Sequence, residues 1–309
     1  MQISIKDFFK KYKLVYSFLK YLYNMTVRKI LIYLPKTLAH KIIYYLVIWQ
    51  SLDLNNPTDL NQKIHYMVVY RYGDFEAKLL DKYTVKEYVN SLGIKDLFVA
   101  QLYALFDNVN QIDLDKLPNR FVLKTTHGCG DTVICLDKAI FDLNSAKKNL
   151  YKALKQNQSR LVCEYFSMNV TRAIICEEYI DDDTGINPID YKLLCFHGKA
   201  KYILVCTERD IKTRLYLFDT EWNYLDWCLD EFKGDVIIQK PDNLNRIIEI
   251  AEELATPFPF VRIDLYNARG KIYFGEFTFT PANGIIRYFK SPYLKVMGDL
   301  LDLKRVNNG

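Results

Sequence analysis

Two carboxylates and an arginine in residues 260–281 have the types and spacing of a divalent-cation site. The stretch is FVRIDLYNARGKIYFGEFTFTP, and Gly270 near its centre predicts a β-hairpin with a three-residue loop. In that register position 262 faces 276 and position 264 faces 274. Because neighbouring like charges repel, either Arg262 or Mg²⁺ must compensate Asp264 and Glu276. The residues leave two interpretations open, a magnesium site and a solvated ion-pair face.

Strict alternation along both strands separates this polar face from the core. It places Thr278 beside the three charged residues. The opposite face is apolar and consists of Val261, Ile263, Leu265, Tyr273, Phe277 and Phe279.

A glycine-rich loop between two strand-like runs could hold an anion. FVLKTT precedes the loop at 127–131, and TVICL follows it. Gly128 and Gly130 would let backbone N–H groups face the anion, and Lys124 would add a positive charge. A glycine hairpin is also a common turn, so these residues alone leave a phosphate site and a plain turn open.

Several common site types are absent from the sequence. It contains neither GxxxxGK[ST] nor GxGxxG, which disfavours P-loop and Rossmann nucleotide sites. The four His lack HExxH spacing, so we expect any metal to be a hard cation held by carboxylates. The seven Cys form no CxxC pair and are odd in number, which indicates reduced thiols and a cytoplasmic location.

The elements that must position these residues alternate without a regular βαβ succession, which predicts an α+β fold. Apolar periodicity predicts helices over 76–92 and 144–158, and a third from Pro241 through Leu254. Strands are predicted over 121–126, 132–136, 174–180, 191–196 and 201–206, the last two joined by the turn His197-Gly198-Lys199.

Most of the positive charge lies at the N-terminus. Residues 1–50 hold eight Lys and Arg28 but only one acid, Asp7, so their net charge is +8. The whole chain has a net charge of +5, which leaves −3 for residues 51–309. Because the positive charge is local, we expect no nucleic-acid partner. Positions 8, 12, 15, 19 and 22 form an apolar helical stripe, and Pro35 separates it from a second helix ending near Trp49.

These N-terminal helices allow two interpretations. No uncharged run approaches the roughly 20 residues of a membrane span, so we expect no transmembrane helix. The helices either pack on the rest of the protein or contact an anionic membrane surface.

The order of these motifs resembles the TupA-like branch of the ATP-grasp proteins from about residue 56 to the C-terminus. The resemblance implies two α+β subdomains that grip ATP, preceded by a further region (56–118). The basic amphipathic helical extension (1–55), which is expected from its own residues, would come before them. The first subdomain, with the glycine loop, would span 119–180, and the second, with the Mg²⁺-binding strands, 181–309. The motifs are NPTDLNQKI (56–64), KLLDKYTVKEYV (78–89), FVLKTTHGCGD (121–131), EEYI (177–180), DYKLLCFHGK (190–199) and the stretch 260–281.

The resemblance implies a role for each candidate residue. Asp264 and Glu276 would bind Mg²⁺, and Thr278 stands where many ATP-grasp enzymes carry a third ligand, Asn. Arg262 would stabilise the transferred phosphoryl group, and Lys192 would reach the phosphates from the second subdomain. The other ATP contacts would be phosphate-binding Lys124, His127, Gly128, Gly130 and Asp131, and the adenine-binding hinge Glu177, Glu178, Tyr179 and Ile180.

The implied chemistry is an ATP-dependent amide ligation. ATP converts a carboxylate to an acylphosphate, an amine then attacks it, and the products are the amide, ADP and phosphate. The TupA-like branch is associated with bacterial surface polysaccharides such as teichuronopeptide, so the expected acid is a uronic acid or related carboxylate of a glycan precursor. The enzyme would be cytoplasmic, either free or at the inner face of the membrane.

Three alternatives stay open. A kinase on the same fold would use the same phosphate-binding residues. A glycosyltransferase is suggested by the DxD pattern of Asp181–Asp183. A scaffold with a decayed ATP site is disfavoured because the candidate charged residues are all present.

Overall fold

The computed structural model describes residues 28–156, 158–182, 189–207 and 213–306. The predicted apolar stripe at positions 8–22 lies outside these residues. The helices are α1 (Arg28–Leu31), α2 (Lys36–Ile48), α3 (Leu60–Tyr70), α4 (Asp74–Leu80), α5 (Thr84–Ser91), α6 (Leu143–Lys155), α7 (Gln158–Leu161), α8 (Leu244–Ala255), α9 (Ser291–Asp299) and α10 (Leu303–Val306). The strands are β1 (Leu97–Val99), β2 (Leu102–Phe106), β3 (Phe121–Thr125), β4 (Val133–Cys135), β5 (Ile174–Glu177), β6 (Asp190–Phe196), β7 (Lys199–Thr207), β8 (Arg214–Phe218), β9 (Phe260–Ala268) and β10 (Lys271–Thr278).

The strands form two sheets, as the α+β prediction requires. The larger has six strands in the order β1-β10-β9-β6-β7-β8, and only its β1–β10 pair is parallel. The smaller has four strands in the order β2-β5-β3-β4, all antiparallel. Each sheet has its own apolar core, so each is buried on one side independently of the other.

Helix α8 covers one face of the large sheet. Its buried residues Leu244, Ile247, Ala251 and Leu254 belong to the large core, as the periodicity predicts. The helix begins at Leu244 rather than at Pro241, whose carbonyl accepts the Leu244 N–H from the turn before the helix.

The other predicted elements are confirmed with shifted ends. Helix 76–92 is two helices, because Asp81 ends α4 and its carboxylate accepts the N–H groups of Tyr83 and Thr84 at the start of α5. The hairpin of β6 and β7 turns on His197 and Gly198 alone, both at positive φ, and Lys199 already belongs to β7. Strand β5 ends at Glu177, and residues 178–180 follow outside the ladder.

The predicted register of the β9–β10 hairpin is wrong. Its loop has two residues, Arg269 and Gly270, both at positive φ, as a type I′ turn requires. A β-bulge at Gly275 then shifts the pairing again, so that Asp264 lies directly opposite Glu276 and position 262 opposite 278.

The bulge explains both this register and a change of face along β10. A Cβ at position 275 would lie 2.8 Å from the backbone oxygen of Asp264, a contact that only glycine avoids. The extra residue reverses the alternation, so Phe274 and Phe277 are both buried, and Tyr273 leaves the core face on which the simple alternation placed it.

Helix α2 packs on the body of the protein. It follows Pro35 and ends before Trp49, which confirms the predicted boundaries. Its residues Ala39 and Ile43 lie in a small core with Cys163 and Ile285. Among the described residues, no helix has the length and apolar character that crossing a membrane requires.

A buried histidine pair joins α2 to α3. His40 Nδ1 lies 2.6 Å from His65 Nδ1, and His40 Nε2 lies 3.1 Å from the carbonyl oxygen of Cys163. Since that carbonyl can only accept, His40 donates from Nε2 and its Nδ1 accepts from His65. A proton on His40 Nδ1 would set two N–H groups against each other. Burial accordingly lowers the pKa of His40 to about 4 and that of His65 well below its usual value.

This pair makes stability depend on pH. His40 is neutral in the fold but takes up a proton below about pH 6.5 when unfolded, so stability is lost as pH falls from about 6.5 towards 4. We expect His40 alone to lower the free energy of unfolding by about 2 kcal/mol between pH 7.5 and 5. Urea unfolding of wild type and His40→Asn at these two pH values measures the effect. Equal losses in the two proteins would contradict it.

Candidate active site

Asp264 on β9 and Glu276 on β10 form an acidic pair that one arginine bridges. Arg262 Nε and Nη2 donate to the two oxygens of Asp264 at 2.6 and 2.7 Å, a bidentate pair. The same Nη2 lies 3.3 Å from Glu276 Oε1 and 3.0 Å from Thr278 Oγ1. The structure therefore brings these four predicted residues together, and the bulge puts the two acids face to face.

Lys192 joins this cluster from β6, where it lies opposite Asp264 in the ladder. Its ammonium contacts Asp264 and lies 2.6 Å from Asp190 Oδ2. Burial alone would raise the pKa of the Asp264 carboxyl, but Arg262 and then Lys192 hold it below its ordinary value. Asp264 is only 1% exposed, whereas the side chain of Glu276 is 47% exposed, so the cluster reaches from the protein interior to solvent.

The charge and donors of this cluster fit a hard cation. Three carboxylates (Asp190, Asp264 and Glu276) face two cations, which leaves one net negative charge. Among the described residues no group of three or more His, Cys, Asp or Glu could hold a metal ion. Mg²⁺ is commonly held by one or two carboxylates, with phosphates and water completing its shell. Asp264 and Glu276, with the hydroxyl of Thr278, would thus suit Mg²⁺ together with a phosphate ligand.

The small sheet presents the opposite charge. Lys124 on β3 and Lys86 on α5 both pair with the buried Glu177 of β5, Lys86 Nζ at 2.8 Å from Oε2. Burial would raise the pKa of Glu177, but Lys124 and then Lys86 lower it. Lys82 contacts the carbonyl oxygen of Gly128 in the glycine loop. Three lysines against one carboxylate leave two net positive charges.

A cleft lies between the two sheets at this point. The small-sheet side contributes Lys82, Lys86, Lys124, Glu177 and Ile180, and the large-sheet side contributes Tyr266, Phe274 and Gly275. Three predicted nucleotide contacts, at positions 124, 177 and 180, thus line one cleft. Its apolar, aromatic and cationic groups are of the kinds that contact a phosphorylated heterocycle, but its volume of about 30 Å³ is smaller than a nucleotide needs.

The remaining predicted contacts are engaged within the small sheet and its loops. Asp131 accepts the N–H of Thr125 at 2.9 Å, and His127 Nε2 lies 3.1 Å from the carbonyl oxygen of Gln156. The N–H of Glu178 donates to the carbonyl of Gln101 at 2.8 Å, and Tyr179 lies under the guanidinium of Arg120, 4.7 Å from the ring centroid.

Gly128 and Gly130 are required in the loop for different reasons, the first steric and the second conformational. A Cβ at Gly128 would lie 2.6 Å from Asp131 Oδ2 and 2.3 Å from Thr125 Oγ1, and Gly130 has a φ of +74°. Asp131 therefore holds the loop's shape, which leaves the loop's backbone as the part available to a ligand.

Three site residues escaped the sequence analysis. Lys82 and Lys86 lie four residues apart in KYTVK, a spacing that places two side chains near each other at a helix start. Asp190 lies two residues before Lys192 on one strand, so both face the same side. The sequence shows these spacings, but it does not show which of the charged residues lie at the cleft.

The family model TupA-like ATPgrasp matches residues 62–302. No curated protein matches the chain significantly. Similar solved structures include D-alanine–D-alanine ligase from Bacillus anthracis complexed with ATP, at 14% identity and TM-score 0.43 over 89% of this chain and 75% of that one. The Helicobacter pylori D-alanine–D-alanine ligase is 14% identical, with TM-score 0.40 over 79% and 70%. The ligase PsnB, complexed with minimal precursor, Mg and ADP, is 9% identical, with TM-score 0.37 over 72% and 59%.

The family match spans both sheets, the three lysines of the cleft (Lys82, Lys86 and Lys124) and the strands that carry Asp264 and Glu276. The chain belongs to the TupA-like ATP-grasp family.

Proposed function

We propose that the protein is an ATP-dependent carboxylate–amine ligase. The observation that supports it best is a cationic wall (Lys82, Lys86 and Lys124) on one side of a cleft whose other side is formed by residues of β9 and β10, the two strands that carry the arginine-bridged pair Asp264 and Glu276. A nucleotide polyphosphate needs both features, because its oxygens pair with the lysines while its Mg²⁺ pairs with the carboxylates.

The chain's own residues would act on the phosphates from both sheets. Lys124 would approach from β3, and Lys192, now between Asp190 and Asp264, would gain a phosphate oxygen as a further acceptor. Arg262 is oriented by its bidentate bond to Asp264 and would offer its charge to the transferred phosphoryl group. Bound Mg²⁺ would supply neutralisation of phosphate charge.

The reaction would proceed in two steps, transfer of the γ-phosphoryl group to the acid and then attack of the amine on the acylphosphate. A carboxylate oxygen attacks the γ-phosphorus, the bond to the β-phosphate oxygen breaks, and ADP leaves. The amine nitrogen then attacks the acyl carbon, phosphate leaves with the bonding pair, and the nitrogen loses a proton. Closure of the two sheets on the cleft would keep water from the acylphosphate.

The proposal also includes the kind of acid that the enzyme uses and the compartment in which it acts. The TupA-like branch suggests a uronic acid or related carboxylate of a surface polysaccharide precursor as the acid. Cys129, Cys135, Cys176, Cys195, Cys206 and Cys228 form no disulfide, which supports a cytoplasmic enzyme. The DxD alternative loses support because Asp181 pairs with Arg120 and lies 3.4 Å from Arg269.

Nucleotide binding is the first test. A non-hydrolysable ATP analogue with Mg²⁺, at about 100 times its Kd, should stabilise the protein by about 2.7 kcal/mol in thermal unfolding. Lys124→Met should lose this gain, whereas the exposed control Lys148→Met should keep it. Stabilisation by nucleotide sugars alone would overturn the proposal in favour of a glycosyltransferase.

Reaction type requires a second assay. Purified protein is screened with ATP, uronic acids and amines for ADP release. A ligase needs both acid and amine for sustained turnover and forms free phosphate. Sustained ADP release with one acceptor alone, matched by a phosphorylated product, would identify a kinase instead.

A further inference from the structure

The outward face of α2 is apolar, although its inward face is already buried. Leu38, Tyr45, Leu46 and Trp49 are 38–53% exposed and follow the spacing of one helical stripe. The opposite side, which includes Ala39 and Ile43, packs on the body of the protein. A helix at the surface of a soluble domain normally turns polar residues outward.

The apolar surface continues before the helix. Ile30 is 60% exposed and Tyr33 is 77% exposed, just ahead of Pro35. Elsewhere large exposed apolar side chains such as Ile140 and Ile237 occur in separate parts of the chain. We call Ile30, Tyr33, Leu38, Tyr45, Leu46 and Trp49 the outer face. Six large exposed apolar side chains within positions 30–49 exceed the single scattered ones of an ordinary surface and indicate an interaction surface.

The charge of the sequence that contains the outer face favours one kind of partner. Residues 8–52 contain seven Lys and one Arg and not a single Asp or Glu. Lys41 is exposed within the α2 stripe itself. A protein partner would need a large acidic surface, whereas an anionic bilayer offers negative headgroups above an apolar interior over any area.

We propose that the outer face docks on an anionic lipid bilayer. Tyr33, Tyr45 and Trp49 have the amphipathic rings that favour the headgroup region, and Tyr45 and Trp49 lie with ring centroids 6.1 Å apart. The helix lies on the membrane rather than crossing it, since its 13 residues are too short to span. Apolar insertion and lysine attraction supply the two contributions that stable surface binding needs.

The test is vesicle flotation with the full chain and no nucleotide. Vesicles are phosphatidylcholine alone or with 30% phosphatidylglycerol, in low and high salt. We expect binding to the anionic vesicles only, weakened several-fold by high salt. Tyr45→Ser with Trp49→Asn should lower it at least 10-fold, Asn being suited to the φ of +64° at position 49. Lys41→Glu should lower it less.

Matched controls separate this face from general surface effects. Ile140→Ser with Ile237→Ser removes two apolar groups that are even more exposed than Tyr45 and Trp49, and Lys148→Glu removes an exposed lysine. Both variants should bind as wild type. Equal binding by wild type and the Tyr45/Trp49 variant would overturn the proposal. So would a dimer that dissociates in that variant without any vesicle binding, because a second copy would then cover the face. Because the assay contains no nucleotide, its result is independent of the proposed ligase activity.

Discussion

Glu276→Gln is expected to reduce ADP release by at least about 100-fold while leaving the fold intact. The side chain is 47% exposed and meets Arg262 only at 3.3 Å, so removing its charge breaks no buried pair. The expected loss comes from the cation site, where Asp264 would remain as the single charged ligand, and losing one such interaction typically costs 10- to 100-fold in metal affinity or more in rate.

Magnesium dependence separates this role from a structural one. We expect the Mg²⁺ concentration for half-maximal rate to rise at least about 10-fold in Glu276→Gln, with partial rescue at high Mg²⁺. The melting temperature should match wild type. Glu221→Gln, an exposed acid outside the site, is the matched control and should change neither quantity. A wild-type Mg²⁺ profile in Glu276→Gln would show that Glu276 is not a metal ligand.

The polar strand face could be predicted because alternation is a local property. Arg262, Asp264, Glu276 and Thr278 share a face in the structure as the period-two pattern indicated. Their register could not be predicted, since it depends on the bulge at Gly275. That bulge is specified by the close approach of the Asp264 backbone across the hairpin, a contact between strands that a sequence pattern does not contain.

The ion pairs of the cationic wall could not be predicted from the sequence either. Lys124 could be assigned because it lies on a strand before a glycine loop. Lys86 comes from a helix 38 positions earlier and meets Glu177 only because α5 packs beside the small sheet. Ion pairs of this kind follow from the assembly of elements, and the sequence shows only that the charged residues are available.

Arg262→Met is expected to have the largest effect on stability, a loss of about 3–5 kcal/mol in urea unfolding. Asp264 is buried and receives two hydrogen bonds from the guanidinium, in addition to its contact with Lys192. Without them it would depend on Lys192, which Asp190 already shares. Lys199→Met is the matched control, because its ion pair with Glu252 is two-thirds exposed on the lysine side and should contribute at most about 1 kcal/mol.

Added Mg²⁺ turns this variant into a test of the site. The cation would occupy the place of the lost charge between Asp264 and Glu276, so Mg²⁺ should stabilise Arg262→Met more than wild type, and Arg262→Met/Glu276→Gln should lose that gain. If Arg262→Met fails to fold, Arg262→Met/Asp264→Asn should recover part of the stability, since no carboxylate is then left unpaired. A cost below about 1 kcal/mol would contradict the buried bridge. An equal gain from Mg²⁺ in Arg262→Met and in Arg262→Met/Glu276→Gln would contradict the cation site.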